Sequence, residues 1–219
     1  FQVKFSNSDR FIQTSFKPIR RVDLANFLKD IAPEYENMSA QDQFNFEFLM
    51  NDNWTYTQSE FNDNPKNWWD LMYDRKSDFY VYQNKDFFLR VNPSLYFTAG
   101  KDQNEDQLLF TNTPGAEIQG EIDRKVGFYS MLTTTQARFP LYVHDFIRNN
   151  RAFPYEGFWK DGEGGSRTWD FFHARGDLTF NATKSINIQT GYDRHFMGND
   201  IRSLMMSDFA SPYLFGKIT

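Results

Sequence analysis

The feature that most constrains this chain is a two-residue hydrophobic rhythm, sustained over stretches too long for an ordinary strand. Within residues 107–123, Leu108, Phe110, Ala116, Ile118 and Ile122 hold even positions, whereas Gln107, Thr111, Thr113, Glu117, Gln119, Glu121 and Asp123 hold odd ones. Successive strand side chains point to opposite faces, so this spacing predicts one apolar and one polar face. The pattern recurs in residues 87–99, where Phe87, Leu89, Val91, Leu95, Phe97 and Ala99 oppose Arg90, Asn92, Ser94 and Thr98. In residues 171–182, Phe172, Ala174, Leu178 and Phe180 oppose His173, Arg175, Asp177, Thr179 and Asn181; in residues 185–196, Ile186, Ile188 and Tyr192 oppose Asn187, Gln189, Asp193 and His195. Residues 125–138 fit least well, because Tyr129 and Met131 fall opposite Val126, Phe128 and Leu132.

Strands of soluble proteins average about 5 or 6 residues, whereas a tilted membrane-crossing strand takes roughly 9 to 11. The connections point the same way. Residues 100–106 form a polar loop, Asp123 and Arg124 a tight turn, residues 139–167 a long loop, Thr183 and Lys184 a second tight turn, and residues 197–211 another long loop. Outer-membrane barrels alternate short periplasmic turns with longer external loops in this manner. The expected fold is therefore mainly β. Residues 78–219 are read as the first five to six strands of an outer-membrane antiparallel β-barrel, the sixth beginning in residues 212–219. Closed barrels of this kind need at least about eight strands, so the expectation is the amino-terminal part of a larger wall.

Average composition hides such a pattern, since only every second residue of a barrel strand meets lipid. A mean hydropathy of -0.68, 24% charged residues and a net charge of -5 resemble those of a soluble protein. The aromatic content of 19% fits girdles at two membrane interfaces, or a large aromatic core. The absence of cysteine excludes disulfides and thiolate metal sites, and mild acidity without a basic stripe argues against nucleic acid as a partner. No apolar run is long enough for a membrane-crossing helix. The start at Phe1 suggests a mature or truncated chain.

Residues 1–77 read as a small helical periplasmic domain or plug. Asp23 is expected to cap a helix carrying Leu24, Phe27, Leu28 and Ile31, which Pro33 ends. Ser39 opens a second helix in a capping-box variant with Asp42, with Phe44, Phe48 and Leu49 as its apolar stripe. Residues 53–78 look irregular, with Trp54, Trp68 and Trp69 packing against backbone in preference to binding a ligand.

Three segments resemble a known family: residues 12–18 (IQTSFKP), residues 86–93 (DFFLRVNP) and residues 191–213 (GYDRHFMGNDIRSLMMSDFASPY). They resemble the Wzi-like capsule-assembly outer-membrane family, and within it the gliding-motility (RemB-like) branch. The motif residues are Asp193, His195, Gly198, Arg202, Ser203, Ser207 and Asp208; Asp200 stands where the family form is glycine-richer. The resemblance implies a many-stranded barrel in the cell outer membrane with a helical periplasmic piece. It also implies a non-enzymatic role in surface polysaccharide attachment or in gliding. A docking subunit of a large outer-membrane secretion or motility complex is the alternative. Partners would then be outer-membrane lipid, a surface polysaccharide or an envelope protein complex.

An ester hydrolase is the third reading, because Asp193, His195, Ser203, Ser207 and Asp208 lie close in sequence. A triad is defined by geometry, and no nucleophile-elbow pattern surrounds either serine. The structural reading pairs Arg202 with Asp208. No catalytic residue, metal site or cofactor is assigned. His144, Asp145 and His173 match no metal spacing, and Asp102, Glu105, Asp106, Asp161 and Glu163 read as solvated loop charge over a calcium site.

The candidate ligand or partner surface is the long loop, through Tyr142, Arg148, Arg151, Tyr155, Phe158, Trp159, Lys160 and Asp161. Aromatic rings stack on sugars and charged groups bond their hydroxyls; the same residues also suit a luminal plug or a protein dock. The polar-face residues Arg90, Glu117, Gln119, Glu121, Arg175 and Asp177 carry mixed signs, which favours a lumen filled with ion pairs over a selective channel.

Overall fold

The computed structural model describes residues 4, 12, 16–17, 19–63, 72–103, 106–162, 167–183, 186–198, 203, 205–206 and 210–219. The chain divides into two compact units, one of Phe1–Phe79 with His195–Ser207 and one of Tyr80–Arg194 with Asp208–Thr219.

In the first unit, a short strand β1 (Phe16–Lys17) is followed by helices α1 (Arg21–Ile31), α2 (Ala40–Asp52) and α3 (Trp54–Thr57). The stripe of α1 packs as its spacing predicts: Phe27, Leu28 and Ile31 join Ile12, Met38, Phe46 and Met50 in one core. Asp23 is not the cap. It lies in the first turn of α1, where its charge still suits the helix dipole, and Arg20 holds the cap position without a side-chain bond. The helix ends where expected, in a 3-10 turn over Ala32–Asn37 that contains Pro33. Ser39 does cap α2, its Oγ accepting from the Asp42 N–H at 3.3 Å. Lys4 Nζ donates to the Asp42 carboxylate at 2.8 Å, and with Ser39 it holds that carboxyl below its usual range.

The stripe expected for α2 is wrong in part. Phe44 and Phe48 are 66% and 63% exposed; the helix instead buries Phe46 and Met50. Phenylalanines at 44, 46 and 48 supply two competing faces, and contact with Tyr35 at 5.6 Å decides for Phe46. Trp54 is buried, its Nε1–H donating to Asp78 Oδ2 at 2.5 Å, with the Arg75 guanidinium 3.9 Å above its ring. Trp68 and Trp69 lie outside the described residues.

The second unit is an antiparallel sheet of 8 strands. Its strands are β2 (Tyr80–Gln83), β3 (Phe87–Gly100), β4 (Leu109–Ile122), β5 (Val126–Arg138), β6 (Trp159–Asp161), β7 (Trp169–Asn181) and β8 (Asn187–Asp193), with the last strand in residues 213–218. Between β8 and that last strand, β9 (Phe196–Met197) pairs with β1 in the first unit, which makes Tyr213–Ile218 β10. The spatial order is β10-β8-β7-β5-β4-β3-β2, with β6 continuing beside β7 past the end of β8. The sheet is open. Among the described residues β10 pairs only with β8, and β2 reaches only to Val91 of β3.

The expected strands appear within a few residues of their predicted limits. The β4–β5 turn carries Asp123 and Arg124 with φ of 52° and 53°, and the Lys125 N–H donates to the Ile122 carbonyl at 3.0 Å. Two successive left-handed residues match the right-handed strand twist, as in a type I′ turn. The expectation for residues 139–167 fails in part, because this connection holds a helix, α4 (Leu141–Asn150), and β6. Lys184, in the second predicted turn, lies outside the described residues.

Exposure on this sheet is reversed relative to a soluble protein. In β4, Pro114, Ala116, Ile118 and Ile122 are exposed while Glu117, Gln119 and Glu121 between them are half-buried. In β5, Leu132 is exposed and Thr133 and Thr135 are buried. In β7 and β10, Phe172, Leu178, Phe180, Leu214 and Ile218 are exposed, whereas Arg175, Asp177 and Lys217 are sheltered. The apolar face is the more exposed one.

Candidate functional site

Cross-strand registers place the sheltered side chains in rows. Arg90 faces Gln119, which faces Tyr129, which faces Asp177; the next row is Asn92, Glu117, Met131 and Arg175. This explains the poor fit of residues 125–138 in the sequence. Tyr129 and Met131 belong to the inner face, where the Tyr129 hydroxyl reaches Glu117 Oε2 at 3.5 Å and Arg175 Nη2 approaches Met131 Sδ at 3.0 Å. Asp177 Oδ1 accepts from Gln189 Nε2 at 2.9 Å and from the Thr179 hydroxyl at 3.2 Å. Acidic, basic and amide groups thus interleave in the half of the face nearest the tight turns.

Towards the loop end the inner face changes character. Thr113 and Thr135 share a hydrogen bond at 2.9 Å, and beyond them stand Phe171 and Trp169. There the long connection folds back onto the sheet. Phe153 packs on Phe171 at 4.8 Å and on Trp169 at 6.3 Å; Trp159, paired with Phe171 through β6, meets Trp169 at 5.3 Å. His144 of α4 lies 5.5 Å from Trp169, and Ile147, one turn on, is fully buried. The apolar spacing of His144 and Ile147 therefore seats α4 over the inner face. Arg148 Nη2 ties the helix to Asp161 Oδ2 at 3.0 Å, and α4 ends at Arg151 in the left-handed region (φ 49°).

His144 is unusual within this cluster. It is buried, neither ring nitrogen has a hydrogen-bond partner among the described residues, and Asp145 Oδ1 stays 3.6 Å from Nδ1, too far for a good bond. The Trp169 Nε1 is also buried without an acceptor among the described residues.

The predicted surface residues separate into two groups. Trp159, Arg148 and Asp161 are structural partners within the folded connection, and Lys160 Nζ lies 3.8 Å from Asp170 Oδ2. Tyr142, Tyr155 and Phe158 are exposed, and the sequence reading missed Phe146, which joins Tyr142 one turn away on the outer side of α4. Helical spacing of Tyr142 and Phe146 was the available signal, hidden because the segment was read as a loop.

Glu156, Phe158, Phe172, His173, Tyr192 and Pro212 line a small, partly open cleft. Burial raises the Glu156 carboxyl above its usual range, opposed by the Arg194 charge. Arg194 Nη2 lies 3.1 Å from His173 Nε2.

Of the family-motif positions, Arg202, Ser207 and Asp208 lie outside the described residues, as do Glu105 and Glu163. Asp193 ends β8 and faces Tyr213, with its Oδ1 accepting from the Arg194 N–H at 2.8 Å. His195 lies beyond the strand and not on it, contrary to the expected shared polar face. The Ser203 hydroxyl donates to the Met197 carbonyl and accepts from the Met205 N–H at 3.1 Å. Gly198 adopts φ 144°, and a side chain there would meet Ser203.

No known protein family, curated protein or solved structure matches this chain.

Proposed function

We propose that this chain forms part of the wall of an outer-membrane β-barrel whose protein works at the cell surface by binding and not by catalysis. The reversed exposure of the sheet carries this reading. An apolar face left open in water costs about 25 cal/mol for every Å², and here that face runs across strands β3 to β10 without a covering layer among the described residues. Lipid removes that cost, and the sheltered polar face suits a lumen. Further strands complete the wall, because open edges in hydrocarbon cost several kcal/mol for each unsatisfied backbone group.

In this reading the tight turns face the periplasm and the long connections face outside, with α4 folded inward across the external end. The resemblance of residues 191–213 to the Wzi-like family supports a role in surface polysaccharide attachment or gliding. The exposed Tyr142 and Phe146 on α4, with Phe158, are the surface available to such a glycan. The same aromatic face favours a second reading, a docking subunit of an envelope complex.

Fractionation of cells producing the full-length protein tests the membrane assignment. It is expected in the outer-membrane fraction, released only by detergent; a protein that stays soluble without detergent overturns the reading. Native purification in mild detergent then separates the two roles. Bound heterogeneous carbohydrate supports glycan attachment, and stoichiometric protein partners lost on Tyr142→Ser with Phe146→Ser support docking.

A further inference from the structure

The outward face is not apolar along its whole length, and where it stops being so fixes the depth of the sheet. In β4 the outward side chains run Ile122, Gly120, Ile118, Ala116 and Pro114 before reaching Asn112. β5 and β7 change at the same height, Leu132 and Thr134 giving way to Gln136 and Ala174 and Phe172 giving way to Asp170, whereas on β3 Phe97 pairs with Asn112 and Ala99 follows it, so the apolar run is longer there. Gln136 Nε2 donates to Asp170 Oδ1 at 3.1 Å, so the polar row is tied across strands. Lys160 of β6 extends it. At the other end, charge begins immediately beyond Ile122 and Phe87, in Asp123, Arg124, Lys125 and Asp86.

The apolar band thus runs from residue 122 to residue 114 of β4. At about 3.4 Å for each residue this is about 27 Å along the strand, and about 21 Å along the normal at a tilt of about 40°. Side chains at both limits extend it towards the band of about 25 Å found on membrane barrels. Aromatic rings mark both borders. Phe87 lies 6.0 Å from Tyr82 and 6.5 Å from Phe128 on the turn side, and Phe172 and Phe97 stand at the loop side.

We propose that the partner of this face is lipid acyl chains. The hydrocarbon boundary on the loop side lies between Pro114, Thr134 and Phe172 below and Asn112, Gln136 and Asp170 above. Asn112, Gln136 and Asp170, with Lys160 of β6, then stand at head-group level as a polar row, and Phe97 of β3 lies at the same height. This rests on the membrane reading above and adds a register to it.

These 219 residues contain no cysteine, so single-cysteine variants of the full-length protein, with any cysteine elsewhere in it replaced by serine, report each position without background. In outer-membrane vesicles opened to reagent on both sides, a membrane-impermeant maleimide is expected to label Asn112→Cys and Gln136→Cys. Ala116→Cys, Leu132→Cys and Leu178→Cys should resist until the membrane is dissolved in SDS. Bimane on Leu132→Cys, in protein reconstituted with doxyl-labelled phospholipid, should be quenched. Protection of Asn112→Cys and Gln136→Cys as complete as that of Leu132→Cys overturns the boundary and leaves the membrane reading standing. Labelling of Ala116→Cys, Leu132→Cys and Leu178→Cys in intact vesicles overturns both. Protection without quenching overturns the lipid assignment and gives the face to a protein partner.

Discussion

Ile118 and Asn112 share the apolar face of one strand, and in the proposed membrane register the difference between them is depth. Ile118 sits near the middle of the apolar band and Asn112 just beyond its loop-side border. A cation in mid-bilayer costs about 2–4 kcal/mol and near the interface about 0–1 kcal/mol. Ile118→Arg is therefore expected to destabilise the folded protein by about 2–4 kcal/mol and Asn112→Arg by less than about 1, measured by denaturant titration in lipid vesicles. Equal effects would place both residues at one depth. Glu156 supports a different residue-scale prediction. Burial raises its carboxyl, so the folded connection holds a proton that the unfolded chain releases more readily. Stability from this group is complete below the ordinary carboxylate range, about pH 4.3, and is lost as pH rises through the raised value. Proteolysis within residues 151–158 should thus quicken as pH rises from about 4 towards neutral, and Glu156→Gln should flatten that dependence.

At the scale of elements, the long strands were legible because their faces differ chemically at every step. Residues 87–100, 109–122 and 169–181 carry their periodicity unaided, and left-handed Asp123 and Arg124 sit where polar residues broke it. α4 was not legible. Its helical spacing, Tyr142 with Phe146 and His144 with Ile147, is present in the sequence, but Pro140 precedes it where loops often begin and the whole of residues 139–167 reads as one loop. Only contact with Trp169, remote in sequence, decides that His144 and Ile147 face inward. The α2 error has the same origin, since Phe44, Phe46 and Phe48 could each have led a stripe. Ile147→Ala is expected to weaken docking of α4 by about 2–4 kcal/mol, the cost of a cavity beneath a fully buried side chain. Hydrogen exchange across residues 141–150 should rise accordingly, while exchange in β4 and β5 stays unchanged. A uniform rise across the sheet would mean that α4 is part of its folding core and not a separable cover.

On the proposed barrel reading, what matters for the whole molecule is how a lumen-facing surface of mixed charge would be closed from the loop end. The turn-side half carries Arg90, Glu117, Asp177 and Arg175, which hold water and ions without selecting a sign. Its loop-side half would be covered by α4 and the aromatic cluster of Phe153, Trp159, Trp169 and Phe171. A wall with these two halves holds a polar chamber beneath an apolar cover, so an intact barrel should conduct poorly. Its closure depends on one connection held by side-chain packing and by the Arg148–Asp161 pair, which is exposed and adds at most about 1 kcal/mol. Replacing residues 141–150 with a glycine-serine linker of equal length leaves every strand pairing in place. In planar bilayers the full-length protein is then expected to pass from little conductance to a steady ohmic current with weak ion selectivity, as the mixed inner charges require. If conductance stays low after the replacement, another segment fills the lumen and α4 covers only its own side of the wall. A strongly selective current would instead mean that strands beyond this segment bring one sign of charge to the lumen.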